Sequence, residues 1–349
     1  MRKYLLPENG NFYKANLHCH TTLSDGKGTT EEVKEIYKRH GYSVVAFTDH
    51  NIQIPHPELA DPDFLPLTGT EYNINSEGYP GKNRECKTTH LCLIATRDDI
   101  KYQVCYTDSY VIHGGAAEHK AESMINPDEP DFNREYTTEC TNEMIRRGRE
   151  AGYFVTYNHP TWSQQNYTDY MPLEGLNAME MMNYDCWTSG YAEYNSRVYD
   201  DMIKGGKKLY CIYADDNHNK FPEGDPHFDS CGGWVMIKAD KLEYNTIGQA
   251  LLDGNFYSSS GPEIKALWFE DNKVHIECSP VKRVCVICGN KMAKMRENAD
   301  GTPITEIDIE ISPKHFSFRV HLDDGFSNFA DTNAYYMADM PFVIPEETK

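Results

Sequence analysis

The sequence predicts an α/β fold: a closed or nearly closed barrel over residues 1–255, then a small β-sandwich-like domain over residues 256–349. Three observations carry this. Short β-branched runs alternate with helical stretches through the first part, which implies parallel strands joined by crossover helices. Near residue 256 the helical periodicity stops, and strand-like runs separated by turn signals take over. The length of 349 residues exceeds one average domain and suits a barrel with an appendage.

The elements follow in order. Residues 14–18 form a short run that ends in polar residues. Residues 30–39 are helical: Thr29 or Thr30 can cap them, and Val33, Ile36 and Tyr37 recur at helical spacing. Strands are expected at 43–47, 64–70, 91–95, 153–157, 178–182 and 209–213, with helices at 140–151 and 191–204. Seven or so such strands suit a barrel that closes. Segment 101–136 is irregular, with Gly114-Gly115, Pro127, Pro130 and many charges. So long a connection inside a compact domain is a lid or a disordered loop. Past a boundary at 254–262, strands are expected at 274–278, 284–288, 304–311 and 316–322, with Asp300-Gly301 and Asp324-Gly325 as turns.

Lys+Arg number 34 and Asp+Glu 54, a net charge of −20. Nucleic-acid coats neutralise phosphates with basic surface, so a long nucleic acid is not an expected partner. The same charge argues against electrostatic docking on anionic lipid. A small phosphate ester is not. The basic start Met1-Arg2-Lys3 has no apolar run behind it, and no stretch approaches the roughly 18 apolar residues of a membrane span. The 11 cysteines are scattered without framework spacing, as expected for reduced thiols in a cytoplasmic protein. Cys285 and Cys288 read as strand side chains.

The chemistry lies in histidines at strand ends. His18 and His20, His50, His159 and His218 fall at or just past the carboxyl end of an expected strand, where barrel active sites are built. His90 is out of phase, since it precedes its strand. His18-Cys19-His20 places two imidazoles on one side of an extended chain, a chelating arrangement, and turns Cys19 away. Asp216-Asn217-His218 repeats the device with one carboxylate. Imidazole with carboxylate suits Zn, Mn or Fe and not Ca. Asp25 and Glu71 supply further carboxylates. Asp49 reads as a capping or supporting carboxylate.

These residues resemble the polymerase-and-histidinol-phosphatase (PHP) superfamily of metal-dependent phosphoesterases. The run from Asn16 to Gly26 looks like its opening HxH…SDG motif, and Phe47-Thr48-Asp49-His50 like its TDH motif. Gly69-Thr70-Glu71, Thr89-His90-Leu91, Asn158-His159-Pro160 and Ala214-Asp215-Asp216-Asn217-His218 follow in the family's order. The resemblance implies a distorted (β/α)7 barrel and two or three divalent metal ions. His18, His20 and Asp216 would hold one, sharing Glu71 with a neighbour. Asp25, His50 and His218 would hold a second, and Glu71, His90 and His159 a third. Many relatives have His where this chain has Asp25, and the carboxylate tilts that site towards Mn or Fe. Asp215 stands where the family has Ser; it is either an acceptor for a ligand histidine or solvated.

The function so implied is hydrolysis of a small phosphate monoester or nucleotide by metal-activated hydroxide. An amidohydrolase-like activity and a non-catalytic metal-holding module are the alternatives. Candidate phosphate clamps are Lys27, Arg84, Lys87, Arg134 and Arg197, and Trp162 either packs or stacks on a substrate ring. His275, His315 and His321 share no ligand spacing. Three divalent ions would bring +6 against −3 from Asp25, Glu71 and Asp216. The partner expected is therefore a small phosphorylated molecule, and the oligomeric state stays open.

Overall fold

The computed structural model describes residues 1–76 and 86–342. The chain is mixed α/β. Strands β1 (Lys3–Tyr4) and β2 (Asn11–Asn16) precede the helix Thr30–Arg39; β3 (Val44–Phe47), β4 (Leu65–Asn75) and β5 (Thr88–Ala95) follow it. The helix Thr138–Glu150 leads into β6 (Tyr153–Tyr157), then β7 (Ala178–Asn183), the helix Ser196–Lys204 and β8 (Tyr210–Ala214). Next come β9 (Trp234–Ala239), the helix Tyr244–Leu252 and β10 (Phe256–Ser259). The remainder is β: β11 (Ile264–Glu270), β12 (Lys273–Val281), β13 (Arg283–Cys288), β14 (Ala293–Arg296), β15 (Ile304–Glu310), β16 (Ser317–Asp323), β17 (Phe329–Thr332) and β18 (Tyr335–Tyr336).

Local signals explain the first helix. Thr29 Oγ1 accepts from Glu32 N while the Glu32 carboxylate accepts from Thr29 N, a reciprocal cap that satisfies two helix-start donors. Val33 and Tyr37, one turn apart, form its buried side.

The strands form two sheets. The larger runs β14-β13-β16-β17-β10-β9-β2-β3-β4-β5-β6-β7-β8, with β18 on β16; the smaller runs β1-β11-β12-β15. One buried apolar cluster takes Ala15, Ala46, Leu67, Ile94, Phe154, Ala178 and Ile212, one from each of β2 to β8. Past the two outer strands of that run the chain meets itself: Cys19 and Asn217 form a parallel bridge, with His20 N donating to Asn217 O at 3.1 Å.

The expectation of parallel strands throughout is corrected. β2–β3–β4 and β6–β7–β8 are parallel, but β5 is antiparallel to both β4 and β6, and β9 to β2. No helix among the described residues separates β4 from β5, so the two pair as neighbours in the chain without a crossover. The expectation that His90 precedes its strand is corrected too: it is the third residue of β5, and the reversal places the start of β5 beside the carboxyl ends of β4 and β6, so His90 reaches the site.

β10 pairs with β9 on one side and β17 on the other, so the larger sheet continues across residue 256. β1 pairs with β11, tying the N-terminus to the smaller sheet. Leu267, Ile276 and Ile309 from that sheet share a core with Val284, Val286, Val320 and Leu322 from the larger one. No helix of the described residues is long and apolar enough to cross a membrane.

Segment 101–136 is tied down on both sides. Gln103 N donates to Met124 O and Met124 N to Gln53 O, at 2.8 and 2.9 Å. Gly115 N donates to Ser24 O at 2.5 Å. Gly114 has φ +50°, and a Cβ there would stand 1.8 Å from Ser24 O, so only glycine allows this approach.

Candidate metal centre

The nine residues singled out for metal binding lie together, all buried except Asp25, whose side chain is 31 % exposed. His18 and His20 stand just past β2, His50 past β3, Glu71 within β4, His90 within β5, His159 past β6, and Asp216 and His218 past β8. Their donor atoms form three groups: His18, His20, Glu71 and Asp216; His20, Asp25, His50 and His218; Glu71, His90 and His159.

Glu71 is the hub. Oε1 lies 3.2 Å from His18 Nε2, 2.9 Å from His90 Nδ1 and 3.2 Å from His159 Nε2. Oε2 lies 3.3 Å from His20 Nε2 and 3.2 Å from His50 Nδ1. Asp216 Oδ1 stands 3.1 Å from His18 Nε2 and 2.9 Å from His20 Nε2, and those two nitrogens are 3.1 Å apart. The second group is looser: Asp25 is 3.8 Å from His50 Nε2 and 3.5 Å from His218 Nε2.

Some of these separations are hydrogen-bond lengths, His90 and His159 to Glu71 among them, but hydrogen bonds do not account for every donor. His50 Nδ1 and Asp216 Oδ1 are buried and make no hydrogen bond, although polar atoms surround both. An unpaired buried polar atom is costly unless something else occupies it. Four donors at about 2.0–2.1 Å from a tetrahedral ion stand roughly 3.3 Å apart, close to the first group's spacing. Burial alone pushes the Glu71 carboxyl up, but the imidazoles of His18, His90 and His50 outweigh it and hold it well below the usual carboxylate range. Asp216 is likewise lowered against burial, chiefly by His18 and His20. Both are acceptor-only oxygens in that state.

Backbone and supporting side chains aim the donors. His159 and Asp216 have φ of +26° and +54°, and such strain in non-glycine residues concentrates at functional sites. Glu180 Oε1 lies 2.6 Å from His18 Nδ1, and its Oε2 accepts from His159 N at 2.9 Å. His159 Nδ1 meets Ser163 Oγ at 3.0 Å and His218 Nδ1 meets Asp216 O at 2.8 Å, which leaves each Nε2 facing the centre. Asp229 accepts from the backbone of His218 and Asn219. Outer partners of this kind are worth about 10–100-fold in metal affinity. Glu180→Gln is therefore expected to weaken metal binding about tenfold or more, read by competition with a chromophoric chelator; unchanged affinity would show that Glu180 only packs.

Asp49 behaves as the sequence suggests. It accepts from Thr21 N, Thr21 Oγ1 and Ser24 Oγ at 2.8, 2.9 and 2.6 Å, fixing the loop that carries His20 and Asp25. Asp215 differs from both of its expected readings. It is buried, accepts from Cys231, Gly232 and Gly233 N at 2.7–2.9 Å and from the Tyr37 hydroxyl at 2.8 Å, and so anchors the 231–233 turn. Cys19 turns away into a cluster with Val33, Tyr37 and Phe47.

The clamp candidates divide. Lys87 pairs with Asp169 at 2.6 Å and Arg197 with Asp201 at 2.8 Å. Arg134 is buried, donates to Asn51, Asn73 and Cys105, and lies over the Tyr72 ring. Lys27 is exposed, and Arg84 lies outside the described residues. His275 pairs with Asp308, His315 with Asn290, and His321 with Asp331, all away from the centre.

Several neighbours escaped the sequence reading, Ser163 and Asp229 among them, and two stand out. Glu180 had a signal: it is the lone carboxylate of β7, on the inward face with Ala178, while Met179 and Met181 pack outward. His113 stacks on His50 with centroids 4.4 Å apart, carried there by the Gly114-Gly115 contact.

No family model and no curated protein matches the chain. Among solved structures it is similar to a two-domain Bacteroides vulgatus protein described as containing a PHP-like metal-dependent phosphoesterase, at 13% identity and TM-score 0.42, over 92% of this chain and 93% of that one. It is also similar to a Bifidobacterium adolescentis protein named as a metal-dependent phosphoesterase, at 17% identity and TM-score 0.35, over 63% of this chain and 91% of that one. A third likeness is to a Chromobacterium violaceum amidohydrolase solved with sulfate and no metal, at 16% identity and TM-score 0.38, over 58% of this chain and 87% of that one.

Proposed function

We propose that this chain is a metal-dependent phosphoesterase that hydrolyses a small phosphate ester, a phosphomonoester or nucleotide, at a centre of two or three divalent ions. One observation carries the reading: a single buried carboxylate, Glu71, has five imidazoles within 3.3 Å. Nitrogen and oxygen donors in this mixture suit Zn, Mn or Fe. His18, His20, Glu71 and Asp216 would hold one ion; Asp25, His50 and His218 a second; Glu71, His90 and His159 a third. Such ions supply Lewis acidity and water that ionises near neutral pH.

The chain's own residues do the rest. Glu180, Ser163 and Asp229 hold the imidazoles in orientation. Asp49 fixes the loop that brings Asp25 to the mouth, and segment 101–136 covers the His50 side against water. In this reading β2 to β8 form a seven-stranded barrel, residues 1–255 carry the site, and residues 256–349 form a β-rich unit outside the chemistry. The test is phosphate release from a panel of monoesters and nucleotides with Zn, Mn or Fe, beside a panel of amides and lactones. Phosphate release alone is expected. Turnover of the amides or lactones alone, or of nothing in metal-loaded protein, would overturn the proposal.

A further inference from the structure

The centre has two sides, and they differ. On the His50 side the mouth is filled: His113 stacks on His50, and Gly114-Gly115 press against Ser24 and Thr22 of the neighbouring loop. On the other side, past β6, stands Trp162. Its ring lies 5.0 Å from His159 and 5.5 Å from His90, edge-on to both, yet 39% of the residue is exposed. A large apolar ring left partly in water beside two candidate ligands is not explained by packing alone.

The backbone that carries the indole is also held in place. Trp162 N and Thr161 N donate to the two oxygens of Glu193 at 2.8 and 3.0 Å, and Glu193 is fully buried. Asn195 braces the same carboxylate at 2.6 Å and accepts from Thr161 Oγ1 at 2.7 Å. Ser163 N closes the turn on His159 O at 3.1 Å. The turn that supplies a candidate ligand thus also fixes the backbone that carries the ring, and the edge contacts with His159 and His90 set the ring beside the candidate centre. Such a platform is pre-organised and costs little entropy on binding.

We infer that Trp162 sets specificity: the substrate's alcohol carries a planar ring that stacks on the indole while the phosphate lies at the centre. This rests on the phosphoesterase reading above. Two candidate clamps, Lys87 and Arg197, are paired with carboxylates, and Arg134 is spent on buried carbonyls and amides. The portion of the ester beyond its phosphate is recognised by ring contact. Base–aromatic stacking measured by alanine substitution amounts to a loss of about 5- to 150-fold.

Two pairs of esters test this, each differing by a ring: adenosine 5′-phosphate beside ribose 5-phosphate, and benzyl phosphate beside ethyl phosphate. The readout is the ratio of kcat/KM within each pair, in metal-loaded wild type, Trp162→Ala and Trp162→Phe. Trp162→Ala is expected to lower the ratio about 5-fold or more in at least one pair, mainly through KM, and Trp162→Phe to restore most of it. If Trp162→Ala lowers both members of both pairs equally, or neither, the platform is wrong although the phosphoesterase reading stands. If wild type hydrolyses other esters of the panel above but neither adenosine 5′-phosphate nor benzyl phosphate, the platform alone falls; if it hydrolyses no ester of either set, the reading falls and the platform with it.

Discussion

Glu71→Gln is expected to lower phosphoester hydrolysis about 1,000-fold, the several kcal/mol that metal-centred charge stabilisation supplies. It should also cost the protein at least one bound ion. The substitution keeps the shape of the side chain and removes its charge. In the wild type, Glu71 bridges the donors of the first and third groups and touches His50 of the second. Glutamine offers one carbonyl oxygen and an NH2 group that cannot ligate. Five imidazoles would then face a neutral amide. Steady-state rates and metal content per chain, measured on a variant with unchanged far-UV dichroism, check both parts. Activity and metal content equal to wild type would remove Glu71 from the centre.

Asp331→Asn is expected to destabilise the fold by about 3 kcal/mol, the largest effect anticipated away from the metal centre. Asp331 in β17 is fully buried and accepts from Tyr194 and Tyr213 at 2.8 and 2.5 Å. It also pairs with Arg319 of β16, itself 4% exposed, whose Nε reaches Asp200 at 3.0 Å. Tyr213 belongs to β8 and Asp200 to the helix Ser196–Lys204, so the network joins the C-terminal strands to the part of the chain that carries the centre. Removing the charge leaves Arg319 underpaired in a buried setting.

The sign with pH follows from the carboxyl itself. Burial pushes it up, but His321, Arg319 and Tyr213 outweigh burial and hold it well below the ordinary value. A carboxyl with a depressed folded-state pKa stabilises fully above its unfolded value of about 3.9, and the contribution is lost as pH falls further. The stability gap between wild type and Asp331→Asn, from urea denaturation, should be full at pH 7 and shrink below about pH 4. A gap under roughly 1 kcal/mol at pH 7, the scale of an exposed pair, would show that the network contributes little.

Much of the candidate centre's clustering was legible because its side chains sit in short local motifs. His18 and His20 announce themselves by period-2 spacing, and Asp216 and His218 by the same device. What escaped depends on pairings that local pattern does not encode. His90 seemed out of phase until β5 proved antiparallel to its neighbours. In the sequence Glu180 is one charge in an apolar strand; its contact with His18 depends on how β7 faces β2. Asp215, one residue from a candidate ligand, serves a backbone turn 16 to 18 residues further on. Segment 101–136 has the composition of a loop, and its order comes from long-range contacts such as Gly115 with Ser24. The strand-rich C-terminal texture was read correctly, whereas the continuity of the larger sheet through β10 depends on tertiary pairing.

The most direct test of the central claim is the metal content of the purified protein, by elemental analysis after equilibration with Zn, Mn or Fe and removal of free metal. Three clusters built from nine buried or half-buried donors predict two or three ions per chain, with loss of at least one in Glu71→Gln. Fewer than two ions per chain under every metal would contradict a multinuclear centre.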